Sequence, residues 1–216
     1  MTCAARSTAD QAVLLLAGYN GHRISEHFSH RSASDPSLRI HVRPPRGTAT
    51  DLRDALSHSA LQNTRDILVC TCDTVVEYSP LDLLAEHRRL RSPCTILLTG
   101  RRGTGIQHAG AYKCDDSRLV LATAEGVPRP LGETRPVWSG SSTGIVVFNA
   151  DYLRSLVGRW TSLYTDLLPW LVAAQHLRAV PLPLSNFVFD YGTPFRYLLL
   201  RTVYATRCSQ VFAETV

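Results

Sequence analysis

The first hundred residues contain apolar runs of strand length separated by stretches with helical spacing. Residues 11–18 (QAVLLLAG) form a continuous apolar run closed by glycine, which is typical of a strand buried on both faces. Residues 38–43 (LRIHVR) alternate apolar and polar positions, and residues 66–72 and 94–98 are again apolar. Helices are predicted between these strands, at residues 23–28, 50–58 and 81–90. This alternation predicts an α/β fold with a three-layer, mostly parallel, Rossmann-like sheet.

The pattern changes after residue 100, where a Gly-rich stretch interrupts the alternation. Further elements are predicted as short strands near 110–113, 118–122 and 144–148, helices at 152–157 and 163–174, an extended stretch at 181–190 and a closing helix at 193–204. No internal repeat or linker divides the chain. We therefore predict one domain over residues 11–205, with a small mixed β subdomain at 100–145, a lead-in at 1–10 and a tail at 206–216.

The composition favours a folded protein, and its positive charge is compatible with a small anionic ligand such as a nucleotide phosphate. The chain has 216 residues, of which 44% are hydrophobic and 19% charged, which is enough to build a core. Its net charge is +5, but the arginines are scattered and form no basic stripe, so we expect no nucleic-acid partner. No apolar run is long enough to span a membrane, and the N-terminus does not resemble a signal peptide. We expect a cytoplasmic protein with reduced cysteines, in which Cys70 and Cys72 are small core residues.

Two aspartates follow predicted strands, which is where ligands bind in open α/β sheets. Asp73 comes directly after the strand predicted at 66–72, and Asp190 ends the extended stretch that precedes the closing helix. Mg²⁺ takes one or two carboxylates together with substrate phosphates, so each aspartate is a candidate ligand. The residues alone leave two alternatives open: Asp73 could cap the next turn together with Thr74, and Asp190 could accept hydrogen bonds from loop amides.

A third candidate is the turn Arg46-Gly47-Thr48-Ala49-Thr50, which lies between a predicted strand and a predicted helix. A glycine-containing turn into a helix N-terminus can receive a phosphate group or let a flat base approach the backbone. The turn lacks the GK[ST] ending of a P-loop. Thr50 is the predicted N-cap of the helix.

Taken together, these segments resemble the sugar-1-phosphate nucleotidyltransferase family, and within it the heptose- or mannose-1-phosphate guanylyltransferase and nucleotide-sugar synthase branch. The resemblance covers about residues 12–197, and three motifs carry it. Cys72-Asp73-Thr74 is similar to the family's Gly-Asp-Thr/Ser. Residues 143–149 (TGIVVFN) resemble its Gly-Gly/Ala-Ile-Tyr-Val-Phe, and residues 190–194 (DYGTP) resemble its Asp-Ile/Val-Gly-Thr-Pro.

The resemblance implies a nucleotidyltransferase fold that transfers a nucleoside monophosphate from a nucleoside triphosphate to a sugar- or cyclitol-1-phosphate, releasing pyrophosphate. It implies that Asp73 and Asp190 are the catalytic residues and hold Mg²⁺. It also implies that Gly47 and Thr48 contact the nucleobase. The residues that would bind the sugar are Gly110, Glu125, Thr143 and Gly144.

The chain also departs from the family. The family's first strand and Gly-Gly-x-Gly-Thr-Arg-Leu loop, which holds the triphosphate, have no counterpart in this sequence, and Gly126 stands where the family carries lysine after the acidic sugar-binding residue. Three explanations are open: the segment is encoded upstream, the sheet closes without it, or the chain is a degraded remnant. The alternative function is therefore a catalytically inactive protein that binds sugar phosphates or a partner. The base, the sugar and a homo-oligomeric state stay open.

Overall fold

The computed structural model describes residues 13–35, 37–99, 111–123, 138–156 and 160–213. The strands in these ranges are β1 (Val13–Ala17), β2 (Leu38–Val42), β3 (Asp66–Cys70), β4 (Thr74–Val76), β5 (Cys94–Thr99), β6 (Ala111–Cys114), β7 (Val120–Thr123), β8 (Trp138–Asn149), β9 (Leu177–Leu182) and β10 (Val188–Asp190). The helices are α1 (Gly21–Ser34), α2 (Thr48–Ala55), α3 (Pro80–Leu90), α4 (Ala150–Ser155), α5 (Leu168–Ala173) and α6 (Pro194–Ala213). A 3₁₀ turn covers Ser59–Leu61, and a π-helical turn covers Leu163–Leu167.

The contacts within the chain group into two units. The first unit contains the residues up to Ile67 together with Asn149–Trp170, and the second contains Leu68–Phe148 together with the residues from Leu171 onward. The organisation into one domain with a separate subdomain stays a prediction.

The first unit contains β1 and β2, which pair in parallel in a sheet of two strands. Helix α1 connects these strands and packs against both. It begins at Gly21, where a Cβ atom would lie 2.6 Å from Val42 Cγ1, so glycine allows the first turn of α1 to approach β2 closely. Helix α2 buries Ala49, Leu52 and Ala55, and its apolar face therefore contributes to the core of this unit.

The second unit contains most of a six-stranded sheet, whose order is β7-β6-β8-β5-β9 with β3 also paired to β8. The predicted α/β class, a central sheet with helices, is confirmed. The sheet is more mixed than we predicted: β5 and β9 are parallel, whereas β8 runs antiparallel to both β5 and β6. The described strands of the predicted 100–145 subdomain join this same sheet, because β6 pairs directly with β8.

The core of the second unit lies between the sheet and α3. All six residues of β5 are buried. A cluster of buried apolar side chains joins α3 to three strands of the sheet: Leu83, Leu97, Val147, Val180 and Leu182. Ser79 caps α3 and Pro80 occupies its first turn, the arrangement that favours a helix start. None of the described helices is both long and apolar enough to cross a bilayer.

The start of α2, the C-terminal end of α6 and two cysteines differ from the predictions. Helix α2 begins at Thr48 rather than after Thr50, and the Thr50 hydroxyl donates to Trp160 O instead of capping the helix. Helix α6 continues to Ala213, so most of the segment predicted as a tail at 206–216 is helical. The prediction that Cys70 and Cys72 are core residues is wrong, because both are exposed.

Candidate active site

The two candidate aspartates lie side by side at the ends of two paired strands. Asp73 directly precedes β4, and Asp190 is the last residue of β10. β4 and β10 are antiparallel, with Asp190 opposite Thr74. The ladder is extended by a hydrogen bond of 2.7 Å from the Tyr191 amide to Asp73 O. The pairing therefore brings together two carboxylates that are far apart in the sequence.

Gly192 keeps the space beside these carboxylates open. A Cβ atom at position 192 would lie 3.2 Å from Asp190 Oδ1 and 3.5 Å from Asp73 Oδ2. The two oxygens are therefore no farther apart than the sum of those two distances. Glycine leaves a gap that a side chain would fill, and this gap is next to an oxygen atom of each aspartate.

The donor set fits a magnesium ion that shares its coordination with a substrate. Mg²⁺ takes one or two carboxylates in such sites and keeps its other positions for water and phosphate oxygens. Among the residues that the structure describes, no three or more His, Cys, Asp or Glu side chains group as metal ligands. Asp73 and Asp190 therefore offer a two-carboxylate arrangement and not a metal cage built by the protein alone.

Asp190 already has partners on both of its carboxylate oxygens. The Gly192 amide donates to Oδ1 at 2.8 Å, and the Arg196 guanidinium forms an ion pair with Oδ2 at 2.5 Å. Arg196 lies in the first turn of α6, where the predicted start of the helix is confirmed: the helix begins at Pro194, and the Arg196 amide donates to the Thr193 hydroxyl at 3.3 Å. We did not single out Arg196 from the sequence, although its position just after the DYGTP motif was a usable signal.

The neighbouring Tyr191 connects the two aspartate segments a second time. Its hydroxyl donates to Cys72 O. Burial raises the pKa of the Tyr191 phenol, and the nearby Cys72 and Asp73 raise it further. The phenol is therefore protonated at neutral pH and can maintain this hydrogen bond. Tyr191 thus helps to fix the backbone on which Asp73 is carried.

Gly47 and Thr48 lie in the first unit, at the start of α2. Gly47 has a φ of +106°, a conformation that L side chains rarely adopt, and a Cβ atom there would clash with Thr161. The Thr48 hydroxyl accepts a hydrogen bond of 2.8 Å from the Leu163 amide, and the Ala49 amide donates to Thr161 O at 2.9 Å. The turn is thus held by hydrogen bonds to the segment that precedes the π-helical turn.

The segment that holds this turn is itself fixed by a carboxylate. Asp166 Oδ2 accepts hydrogen bonds from the Thr161 and Ser162 amides at 2.9 and 2.8 Å. These backbone hydrogen bonds lower the pKa of the Asp166 carboxyl because they stabilise its charged form. Asp166 is therefore ionised at neutral pH and holds the backbone against which Gly47 packs.

Thr143 and Gly144 lie together in β8. The Thr143 side chain is only 1% exposed, and its hydroxyl donates to Leu97 O at 2.9 Å. Gly144 has a φ of +80°, and a Cβ atom there would clash with the Thr71 hydroxyl. The Thr143 hydroxyl is engaged inside the sheet. The Gly144 amide donates to the Ser142 hydroxyl at 3.1 Å, and the Gly144 carbonyl accepts from the Thr71 amide at 3.0 Å.

The Thr143→Val variant tests this placement. We expect it to lower the free energy of unfolding by about 1 kcal/mol, because the side chain keeps its shape but loses one buried hydrogen bond. We expect sugar-1-phosphate affinity, measured by calorimetry, to change less than about twofold. A large loss of affinity with unchanged stability would show instead that the hydroxyl contacts the ligand.

The two other predicted sugar-binding residues, Gly110 and Glu125, lie outside the described residues. The six predicted site residues that the structure describes fall into three pairs. The structure brings Asp73 and Asp190 together, places Thr143 and Gly144 in the same unit, and places Gly47 and Thr48 in the other unit. Their roles in binding are proposals that we take up below.

The architecture is a mixed α/β fold of the nucleotidyltransferase type, with a central sheet and helices. Solved structures with this fold include HddC from Yersinia pseudotuberculosis, at a TM-score of 0.65 and 16% identity over 87% of this chain and 76% of that chain. HddC complexed with GMP-PN matches with a TM-score of 0.63 and the same identity and coverage. At such low identity these matches establish the fold.

A third solved structure with this fold comes from another organism. A putative glucose-1-phosphate thymidylyltransferase from Bacillus anthracis, in complex with a sucrose, has a TM-score of 0.65 and 15% identity over 88% of this chain and 74% of that chain. No protein-family model matches the sequence. No curated protein matches it significantly.

Proposed function

We propose that the chain transfers a nucleoside monophosphate from a nucleoside triphosphate to a sugar- or cyclitol-1-phosphate and releases pyrophosphate. One observation carries the proposal: Asp73 and Asp190, each in a motif that resembles the nucleotidyltransferase family, lie next to one gap beside Gly192. The fold supports it, because one structure with this fold is that of a putative glucose-1-phosphate thymidylyltransferase and another contains GMP-PN.

In this proposal Asp73 and Asp190 hold a magnesium ion. When bound, Mg²⁺ supplies positive charge that stabilises the phosphate oxygens of the transition state. Gly192 supports the assignment because its missing side chain leaves space next to both carboxylates. The aspartates transfer no proton in this role. They position the cation relative to the substrate phosphates.

The reaction needs little from the protein beyond binding and orientation. An oxygen of the sugar-1-phosphate attacks the α-phosphorus of the triphosphate, a new P–O bond forms, and the bond to the departing pyrophosphate breaks. Because the attacking phosphate is already an anion at neutral pH, no general base is required. Catalysis then depends on alignment of the reacting groups and on cationic groups near the phosphates.

The remaining predicted residues would bind the two substrates. Gly47 and Thr48 would contact the nucleobase through the backbone of their turn, which the Thr161 and Leu163 hydrogen bonds hold in place. The sugar would be bound by Gly110, Glu125, Thr143 and Gly144. For the location, the cytoplasm stays our proposal.

A second function is favoured by the ion pair between Arg196 and Asp190. A carboxylate that is neutralised by arginine is a weaker metal ligand than a free one, since the cation competes with the guanidinium for the same negative charge. A protein in which this pair persisted would bind sugar phosphates without catalysing transfer. Sugar-phosphate binding that is independent of metal would be its signature.

Pyrophosphate release distinguishes these functions. The full chain is incubated with Mg²⁺ and each pairing of ATP, GTP, CTP, UTP or dTTP with hexose- and heptose-1-phosphates. We expect release with at least one pair, dependence on the sugar phosphate, and loss of release when EDTA is added. No release with any pair at high protein concentration, together with calorimetric binding of a sugar phosphate, would replace the transferase with the binding protein.

A further inference from the structure

We propose that Arg196 is a positioning residue that exchanges partners at the candidate site. In the absence of substrate its guanidinium binds Asp190. When a divalent cation occupies the aspartates, the guanidinium moves to a phosphate oxygen of the substrate. This inference rests on the proposed function, but it concerns a residue that neither the motifs nor the comparisons assign.

The first argument is the occupancy of Asp190. The carboxylate accepts from the Gly192 amide at one oxygen and binds Arg196 at the other. A cation that approaches the gap beside Gly192 therefore meets a carboxylate whose charge is already balanced by arginine. The gap lies nearest to Oδ1, so a cation there competes with the guanidinium on Oδ2 for the charge of the same carboxylate.

The second argument is that the guanidinium can leave at low cost. The side chains of Arg196 and Asp190 are 41% and 35% exposed, so water reaches both groups. Ion pairs at such exposure contribute little net stability, because the separated charges are well solvated. The pair is therefore suited to a contact that is made and broken in each binding cycle.

The third argument is reach and chemistry. The backbone of Arg196 is fixed in the first turn of α6, where its amide donates to the Thr193 hydroxyl. The long side chain can move while this backbone stays in place. A guanidinium group binds phosphate oxygens in the same forked geometry in which it binds a carboxylate. A phosphate that enters beside Asp73 and Asp190 would offer Arg196 an equivalent acceptor.

The exchange makes the binding of cation and phosphate mutually dependent. A cation that binds alone leaves Arg196 without a partner, and a phosphate that binds alone has to draw Arg196 away from Asp190. When both are present each charge is balanced, so each ligand raises the affinity for the other. We expect the protein to bind divalent cations weakly until a phosphate ligand is present.

The test measures Mn²⁺ and phosphate binding to the full chain without turnover. Mn²⁺ affinity is measured by electron paramagnetic resonance, and the affinities for GTP, glucose-1-phosphate and pyrophosphate are measured separately by calorimetry. We expect Arg196→Gln to bind Mn²⁺ roughly tenfold more tightly than the unmodified protein, because a nearby positive charge has been removed. We expect its affinity for at least one phosphate ligand to fall by a similar factor, and the affected ligand identifies which phosphate Arg196 contacts.

Three further variants define the effect. Arg196→Lys keeps the charge and should restore part of both affinities, whereas Arg201→Gln, an exposed arginine on the same helix, should change neither. In a protein that already carries Asp190→Asn, the further change Arg196→Gln should no longer alter the Mn²⁺ affinity. Circular dichroism checks that each variant is folded.

Opposite changes in the two affinities support the exchange, because a purely structural role of Arg196 would lower both. Unchanged Mn²⁺ affinity in Arg196→Gln, or a parallel loss of Mn²⁺ and phosphate affinity, would overturn it. The Mn²⁺ measurement does not depend on catalysis. If the expected shift occurs but no substrate pair releases pyrophosphate, then the transferase proposal fails and the exchange stands.

Discussion

The Asp190→Asn variant is expected to release pyrophosphate roughly a thousandfold more slowly than the unmodified protein at saturating Mg²⁺. The amide keeps the size of the carboxylate but loses its charge, so the site loses one of the two anionic groups that flank the gap beside Gly192. Asp73→Asn should have an effect of similar size, because it removes the other. Initial rates of pyrophosphate release, measured with the best substrate pair, give the comparison.

The control for these variants is Asp116→Asn. Asp116 is exposed in the turn between β6 and β7, in the same unit as the two aspartates, and should be replaceable without loss of rate. The ion pair of Asp190 is partly exposed, so its loss should change the free energy of unfolding by less than about 1 kcal/mol. If Asp190→Asn retained more than about a tenth of the rate, Asp190 would not be the cation ligand.

The Gly47→Ala variant is expected to lower the free energy of unfolding by about 2–4 kcal/mol. Two effects add at this position. The backbone has a φ of +106°, which alanine rarely adopts, and the new methyl group would meet both the carbonyl and the methyl group of Thr161. Backbone atoms cannot move aside as a flexible side chain can, so the turn before α2 would have to shift. Urea unfolding followed by circular dichroism measures the loss.

Gly18→Ala provides the matched control for Gly47→Ala. Gly18 is also in the first unit, but a Cβ atom there would meet only Pro45, at 3.2 Å, and its φ is not in the left-handed region. We expect a loss of less than about 1 kcal/mol. Equal losses of unfolding free energy in the two variants would mean that the positive φ of Gly47 does not cause the loss in Gly47→Ala.

The parts of the fold that the sequence predicted correctly have strong local signals. The apolar runs of β1, β3 and β5 and the capped start of α3 lie close to their predicted positions. The adjacency of Asp73 and Asp190 was expected only from the resemblance to the nucleotidyltransferase family, because the two residues are far apart in the sequence. The signals for the strands and for α3 are carried by residues that are near one another in the sequence.

The elements that the sequence did not predict depend on pairing with distant segments. β4 is only three residues long, and its pairing with β10 is what makes it a strand. The first half of β8 is polar and Gly-containing, yet it is a strand because β5 and β6 flank it. β9 contains Pro181, which argues against a central strand, but β9 lies at the end of the strand order, where proline is tolerated.

The ion pair at the candidate site could not be predicted for a related reason. The spacing of six residues between Asp190 and Arg196 has no fixed geometry until the turn at Gly192 and the start of α6 are placed. Sequence patterns specify which residue types follow a strand. They do not specify whether two charged side chains, such as those of Asp190 and Arg196, will form an ion pair.

Position 192 offers a criterion for sorting proteins that share this arrangement. A homologue that conserves both aspartates but carries valine or leucine at the equivalent position would place a branched side chain where the gap lies next to Asp73 and Asp190. Such a protein could keep the fold and a carbohydrate ligand while excluding the cation. The residue at this position would therefore be informative in addition to the two acidic motifs.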